Sequence, residues 1–188
     1  MELKDFIKIY DNVVPEKIFC NFFKFANQGE YKPAGVSIGN KQVINTNERN
    51  VSGFDINNNT PSLTEAHWYN FICSLFWELI EKYKQDTNVI MNVDTIQTIE
   101  ILKYEVGGFY KYHTDHCSGF PRTISGVYLL NDNYKGGELC FRSADTKEEQ
   151  KIEVKTNRFI LWPSNFLYPH TVMPVTEGTR YSLVCWAL

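Results

Sequence analysis

Residues 102–115, LKYEVGGFYKYHTD, contain two strand-like runs separated by a Gly-Gly break. β-Branched and aromatic residues favour strands, and paired glycines mark turns. Residues i and i+2 of a strand point to the same face, so His113 and Asp115 would bring an imidazole and a carboxylate to one point. Such a pair suits a divalent metal, although two solvated residues at a strand end would show the same pattern. His116 is the competing ligand, but its parity places it on the opposite face of a regular strand.

A second histidine lies far away in the sequence. His170 follows Pro169, just before another predicted strand. Two histidines and one carboxylate form the facial triad of non-haem iron(II) oxygenases, which leaves coordination positions open. A structural zinc site would be closed by a fourth protein ligand, and the sequence suggests none. His67 lies in a predicted helix, where it is expected to be a surface or packing residue.

The third candidate feature is a basic residue at the start of an apolar strand. Arg180 precedes the run 181–186, YSLVCW. A buried arginine presents a fixed fork of donors that matches a carboxylate. Ser182 lies two residues on, hence on the same face, and would add a hydroxyl. This pair, facing a metal, would suit a dicarboxylate whose other end chelates the metal. The alternative, a surface arginine near the C-terminus, is disfavoured by the apolar surroundings.

After about residue 93 the sequence alternates between strand-forming runs and turns. Eight short strands at a spacing of roughly 8–12 residues predict a sandwich or barrel. Eight strands in two sheets are typical of a jelly roll, the fold of the cupins. The predicted strands are 95–104, 109–115, 123–130, 138–141, 151–154, 158–162, 171–175 and 180–186.

The N-terminal half predicts two helices and a loop-rich segment. One helix runs from Pro15 to Gly29, and a second opens at about residue 61 and ends near residue 85. Residues 30–60 are polar and rich in asparagine, which predicts short strands and loops facing a substrate. No linker separates the halves. We therefore expect one domain over 1–188, mainly β with flanking helices (α+β), with helical support and substrate-side loops in 1–92 and a jelly-roll core in 93–188.

The composition excludes several classes of protein. The length of 188 residues suits one domain, and the net charge of −3 argues against a broad electrostatic grip on nucleic acid or an anionic membrane. Five cysteines without a Cys-x-x-Cys pair disfavour a disulfide framework or a zinc ribbon. The sequence shows no signal peptide and no membrane span, so a cytoplasmic location is expected. Phe, Tyr and Trp make up 15% of the residues, which agrees with a β-rich chain.

Three segments together resemble the motifs of the prolyl 4-hydroxylase-like Fe(II)/2-oxoglutarate dioxygenases. They are 102–115, the hairpin 129–139 with its LLND and GGEL sequences, and 169–183, PHTVMPVTEGTRYSL. Three motifs in this order and spacing are far more specific than any one of them. The resemblance covers 95–188 strongly. It implies a double-stranded β-helix that uses Fe(II), 2-oxoglutarate and O₂, and it admits ascorbate as a reductant.

The resemblance also implies roles for individual residues. His113, Asp115 and His170 would hold iron, and Arg180 would pair with the distal carboxylate of 2-oxoglutarate. Further contacts to the cosubstrate or walls of its pocket are expected from Tyr104, Thr179, Ser182 and Trp186.

This sequence departs from the family pattern at two places. Leu129 stands where the family often has tyrosine, and Lys155–Arg158 replaces a glycine-containing turn. Neither change touches an expected ligand. Phe159 is expected to help Tyr104 and Trp186 exclude water from the pocket.

The leading functional hypothesis is hydroxylation of a prolyl residue in a peptide or protein, with release of succinate and CO₂. The same chemistry on a free amino acid or another small molecule is the alternative, and a nucleobase fits the acidic net charge less well. A non-catalytic jelly-roll metal-binding module is disfavoured, because it would need no anchor for 2-oxoglutarate. The expected partner is therefore a peptide or protein substrate, with a small-molecule substrate as the alternative and no nucleic acid or membrane.

Overall fold

The computed structural model describes residues 2–38, 41–143 and 148–188. A 3-10 turn, Leu3–Phe6, precedes the first strand, and the two helices are α1 (Glu16–Asn27) and α2 (Leu63–Thr87). The strands in chain order are β1 (Lys8–Asp11), β2 (Lys32–Pro33), β3 (Val36–Ile38), β4 (Lys41–Val43), β5 (Arg49–Asn50), β6 (Ser52–Ile56), β7 (Ile96–Tyr104), β8 (Phe109–His113), β9 (Ile124–Leu129), β10 (Lys135–Gly136), β11 (Leu139–Arg142), β12 (Glu149–Lys151), β13 (Arg158–Pro163), β14 (His170–Val172), β15 (Val175–Glu177) and β16 (Arg180–Ala187).

Two antiparallel sheets form the body of the molecule. The major sheet has seven strands in the order β1-β13-β9-β16-β7-β6-β2, and the minor sheet has five in the order β12-β11-β14-β8-β5. Two smaller ladders pair β10 with β15 and β3 with β4. Apolar side chains from both sheets, such as Val127 and Phe141, share one buried cluster. The prediction of a double-stranded β-helix with flanking helices is therefore confirmed.

Both helices pack on the outer face of the major sheet. Phe22 of α1 stacks on Tyr128 at 6.4 Å between ring centroids, and Phe76 of α2 stacks on Phe159 at 5.8 Å. The expectation that Phe159 walls the pocket is wrong. Side chains alternate along β13, so Phe159 faces the helices while Trp162 faces the minor sheet.

The helix boundaries follow from local capping. Pro15 is the N-cap of α1 rather than its first residue, because its ψ of 138° is extended. Ser62 caps α2 by accepting a hydrogen bond from the backbone N–H of Glu65 at 3.2 Å. This cap places the start of α2 two residues beyond the predicted position. Asn88 ends α2 in the left-handed conformation, with φ of 53°.

Two of the predicted strands are divided or displaced in the structure. The segment 171–175 divides into β14, which pairs with β8 and β11, and β15, which pairs with β10. Pro174 lies between them and has no N–H to donate, although its carbonyl accepts from Gly137 at 3.1 Å. The strand predicted at 151–154 lies slightly upstream, at Glu149–Lys151.

The turn before β13 is held by a buried asparagine. Asn157 has φ of 61°, a region that asparagine enters more readily than most residues, so it takes the place of the expected glycine. Its Oδ1 accepts from the backbone N–H of Val14 at 3.2 Å and from the hydroxyl of Tyr128 at 2.7 Å. Its Nδ2 donates to the carbonyl of Val14 at 2.7 Å. Asn157 thus ties the approach to α1 to the major sheet.

Asn157→Ala is expected to lower the free energy of unfolding by about 3 kcal/mol, because it leaves buried polar groups without hydrogen-bond partners and places alanine at a positive φ. Urea denaturation checks this value. Asn88→Ala is the matched control, since Asn88 is exposed and loses only its favourable conformation. Equal losses for the two variants would contradict a role for the buried hydrogen bonds.

Neither helix of the described residues combines the length and the apolar character needed to cross a membrane. The cytoplasmic location stays a prediction.

Candidate active site

The three predicted metal ligands converge between β8 and β14. His113 ends β8, His170 begins β14, and the two are register partners in the minor sheet. Nε2 of His113 lies 3.8 Å from Oδ1 of Asp115, and Nε2 of His170 lies 3.5 Å from Oδ2. Each residue offers a ligand atom within 4.8 Å of the other two. The spacing is compatible with a single metal ion held by three protein ligands.

Backbone carbonyls fix the tautomer of both histidines. Nδ1 of His113 lies 2.8 Å from the carbonyl oxygen of Lys111, and Nδ1 of His170 lies 3.1 Å from that of Tyr168. A carbonyl oxygen can only accept, so each Nδ1 carries the proton and each Nε2 keeps its lone pair for the cluster. Burial, with His170 adjacent, lowers the pKa of His113 to about 3. His113 is therefore neutral at physiological pH, the form that binds metals.

A chain of hydroxyls orients the carboxylate of Asp115. Ser125 donates to Oδ2 at 2.7 Å, and Ser164 must donate to Ser125 at 2.7 Å, because Ser125 has only one proton to give. Burial alone would raise the pKa of Asp115, but the two neighbouring histidines, Ser125 and Arg122 outweigh it, so the pKa lies below its usual value. The carboxylate is ionised, as metal binding requires.

Aromatic rings hold the two imidazoles in place. The ring of Tyr110 stacks on His113 at 3.6 Å between centroids, and the guanidinium carbon of Arg49 lies over the ring of Tyr110 at 4.9 Å from its centroid. Trp162 meets His170 edge-on at 4.9 Å. This packing limits rotation of the imidazoles and so preorganises the cluster.

A cavity of ≈ 640 Å³ opens over the triad. Trp186 lines it, with the guanidinium carbon of Arg122 at 3.7 Å from its ring centroid. Oε2 of Glu100 lies 3.4 Å from Nη2 of Arg49. The pKa of Glu100 is raised, because the effect of burial outweighs that of the Arg49 cation. Charged residues of both signs thus line a cavity with apolar side chains on its other walls, among them Leu102, Val127, Leu139, Val172 and Val184.

Arg180 lies buried behind this cavity. It is 1% exposed, its Nη1 donates to Oγ of Ser182 at 2.7 Å, and its guanidinium lies 4.8 Å from the ring of Tyr104. Tyr104 lines the cavity and is the register partner of Arg180. Within the described part of the chain, no carboxylate pairs with Arg180. A buried cation without an anionic partner is costly, so the residues present fit a bound carboxylate.

The structure places the remaining candidates away from the triad. Thr179 does not line the cavity, and its carbonyl accepts a hydrogen bond from Asn131 at 2.7 Å. His67 is exposed on α2 and meets Trp68 edge-on at 4.9 Å. The imidazole of His116 is exposed, with Nδ1 at 2.9 Å from the carbonyl oxygen of Arg122. The expectation of a surface or packing role for His67 agrees with this placement.

Sequence reasoning missed several charged residues of the cavity, among them Glu100, Arg122 and Arg49. Glu100 interrupts the apolar pattern of β7, Arg122 precedes β9, and Arg49 comes from the loop-rich segment. A charge inside a strand pattern was the available signal for Glu100. A Cβ at Gly53 would lie 2.0 Å from Oε1 of Glu100, so the glycine of the adjacent strand makes room for this carboxylate.

A His-Asp-His cluster in a jelly roll, with a buried arginine behind it, has the ligand set of the facial-triad class of metal-binding proteins. Residues 99–188 match the model of the 2OG-Fe(II) oxygenase superfamily. Over these residues the chain is similar to that superfamily, and it shares the fold of the prolyl 4-hydroxylases, as the sequence motifs predicted.

Curated relatives are similar to this chain in sequence, and solved structures are similar to it in fold. A PKHD-type hydroxylase of Picosynechococcus sp. is 35% identical over 96 residues, which cover 49% of this chain and 42% of that protein. A prolyl-4-hydroxylase of Pseudomonas putida has a TM-score of 0.75 at 21% identity, covering 97% of this chain and 92% of that one. A prolyl hydroxylase from Trichoplax adhaerens, solved with a hypoxia inducible factor peptide fragment, has a TM-score of 0.78 at 18% identity, covering 98% and 84%. The matched region therefore spans about two fifths of the curated relative.

Proposed function

We propose that this protein is an Fe(II)- and 2-oxoglutarate-dependent oxygenase that hydroxylates a prolyl residue of a peptide or protein, with release of succinate and CO₂. The observation that carries the proposal is the His-Asp-His triad beside a buried arginine that has no anionic partner among the described residues. Residues 1–188 would act together as one catalytic domain, because the N-terminal segment supplies Arg49 to the cavity.

Each site residue then has a defined task. His113, Asp115 and His170 would hold the metal through two Nε2 atoms and a carboxylate oxygen. Arg180, positioned by Ser182, would bind the distal carboxylate of 2-oxoglutarate. When bound, iron and 2-oxoglutarate supply the activation of O₂ that hydroxylation of an unactivated C–H bond needs.

The walls of the cavity support that chemistry by excluding water. Tyr104 is almost fully buried beside Arg180, and burial raises the pKa of its hydroxyl, with Arg180 offsetting a part of the rise. Tyr104 therefore stays protonated and is able to donate a hydrogen bond to the cosubstrate. Trp162 and Trp186 line the same cavity and limit the entry of water.

The prolyl substrate is supported by the cavity and by the structural neighbours. Donors from Arg49 and Arg122 and the carboxyl of Glu100 line the cavity, and a peptide main chain offers partners of both kinds. The Trichoplax adhaerens neighbour was solved with a peptide fragment. The peptide bound to that neighbour favours a peptide over a free amino acid, since a free amino acid would also offer donors and acceptors to the cavity.

The test is turnover with defined substrates. Purified protein is incubated with Fe(II), 2-oxoglutarate and ascorbate, together with capped proline-containing peptides or with free proline. We expect succinate above the uncoupled background, and a mass gain of one oxygen atom, with a peptide. Succinate stimulated only by free proline would replace the peptide by an amino acid, and no stimulation by any prolyl compound would overturn the proposed substrate.

Ser125→Ala is expected to weaken binding of Co(II) or Mn(II) by about 10- to 100-fold, because the variant removes the hydrogen bond that orients Asp115. Isothermal titration measures the affinity without turnover. Ser62→Ala is the control, since it removes a helix cap far from the triad. An unchanged metal affinity in Ser125→Ala would show that the hydroxyl chain does not position Asp115.

A further inference from the structure

Two buried polar atoms without partners belong to neighbouring side chains at the Arg180 end of the site. They are Nε of Arg180 and the hydroxyl oxygen of Tyr134, and neither has a hydrogen-bond partner among the described residues. Tyr134 is 9% exposed and Arg180 is 1% exposed. An unsatisfied buried donor costs about 1–3 kcal/mol, so two of them side by side indicate a partner that binds there.

A glycine brings the two side chains together. Gly137 has φ of +65°, and a Cβ placed on it would lie 3.0 Å from Cδ of Arg180 and 3.2 Å from Cε2 of Tyr134. Both side chains therefore pack against the same backbone position. Burial raises the pKa of Tyr134, and the proximity of Arg180 offsets a part of that rise. The hydroxyl consequently keeps its proton and is available as a donor.

The neighbouring strand supplies no competing group. Leu129 of β9 is the register partner of Ser182 and is buried among apolar side chains. Tyr134, by contrast, comes from the segment that leads into the short strand β10. The phenolic donor beside the buried guanidinium of Arg180 is therefore Tyr134, which comes from this segment and not from β9. A carboxylate accepts several hydrogen bonds at once, so one anion satisfies both groups.

We propose that Tyr134 is a further binding residue for 2-oxoglutarate, whose hydroxyl donates to the same distal carboxylate that Arg180 pairs with. This inference rests on the proposed function. It assigns to Tyr134 selectivity for a cosubstrate that carries a second carboxylate.

The test compares two ligands in Tyr134→Phe. Binding of 2-oxoglutarate and of pyruvate, which lacks the distal carboxylate, is measured by calorimetry in the Mn(II)-loaded protein without turnover. The dissociation constant for 2-oxoglutarate is expected to rise about 10- to 100-fold, the range for a hydrogen bond to a charged group, while that for pyruvate stays the same. The ligand-free variant is expected to be at least as stable as the wild type, because the lost hydroxyl has no partner in the described protein.

Tyr83→Phe is the matched control. Tyr83 is also buried, but its hydroxyl donates to the carbonyl of Phe6 at 2.9 Å, so this variant should lose stability and keep its affinity for 2-oxoglutarate. An unchanged affinity for 2-oxoglutarate in Tyr134→Phe, or an equal loss for pyruvate, would overturn the inference while leaving the proposed function intact. Wild-type protein that binds no 2-oxoglutarate would overturn both.

Discussion

His170→Ala is expected to abolish the visible absorption band that Fe(II) and 2-oxoglutarate together give in the anaerobic protein. The substitution removes one of the three expected metal ligands, the imidazole that contacts with Tyr168 and Trp162 hold in place. Groups that only hold a ligand in place change metal affinity by about 10- to 100-fold, so loss of a ligand itself is expected to exceed that range. Turnover of 2-oxoglutarate should fall to the level of the metal-free protein.

Two other histidines provide the controls for this experiment. His67→Ala should leave the band unchanged, because His67 lies on the surface of α2. His116→Ala should also keep the absorption band, because His116, the competing candidate, is not one of the expected ligands. A band that survives His170→Ala, or one that disappears in His116→Ala, would mean that the ligand set is wrong.

The position of Asp115 shows how far strand parity could predict the triad. Parity assumes a strand that runs from 109 to 115, but β8 ends at His113. Asp115 still faces the cluster because Ser125 of β9 holds its carboxylate. The sequence therefore predicts the correct residues, while the contact that places Asp115 depends on a strand ten residues further along the chain.

The pairing of His113 with His170 and of Tyr104 with Arg180 was more accessible to prediction. Each residue sits at the end of a strand with a clear β pattern, and antiparallel pairing brings such ends together. Arg49 gave no comparable signal. Its strand, Arg49–Asn50, is two residues long, and only tertiary pairing with β8 fixes it.

Phe159 and Tyr134 mark two further limits of sequence reasoning. Both faces of β13 are buried, so its composition could not say which residues face the helices. Tyr134 precedes a two-residue strand, and nothing in the sequence predicts that its hydroxyl is buried without a partner among the described residues. Such sites depend on packing that develops only when distant segments meet.

Arg180→Met is expected to weaken binding of 2-oxoglutarate by at least about 100-fold, because charge-assisted hydrogen bonds to a buried carboxylate are lost. The same variant should be at least as stable as the wild type without ligand. Arg180 has no carboxylate partner in the described part of the chain, and burying a lone cation is costly, so an apolar side chain of similar length relieves that cost. Calorimetry with 2-oxoglutarate and urea denaturation measure the two effects.

For Arg158→Met we expect the opposite result, a loss of stability with an unchanged affinity for 2-oxoglutarate, so this variant is the control for Arg180→Met. Arg158 is buried too, but its Nε and Nη2 bind Asp11 at 2.7 and 3.0 Å, and that ion pair holds the pKa of Asp11 well below its usual range. Loss of Arg158 should cost only about 1–2 kcal/mol, because the side chain of Asp11 is 33% exposed and solvent screens the pair. Its affinity for 2-oxoglutarate should not change. If Arg180→Met also loses stability and retains its affinity for 2-oxoglutarate, Arg180 serves the fold, and the anion site behind the cavity does not exist.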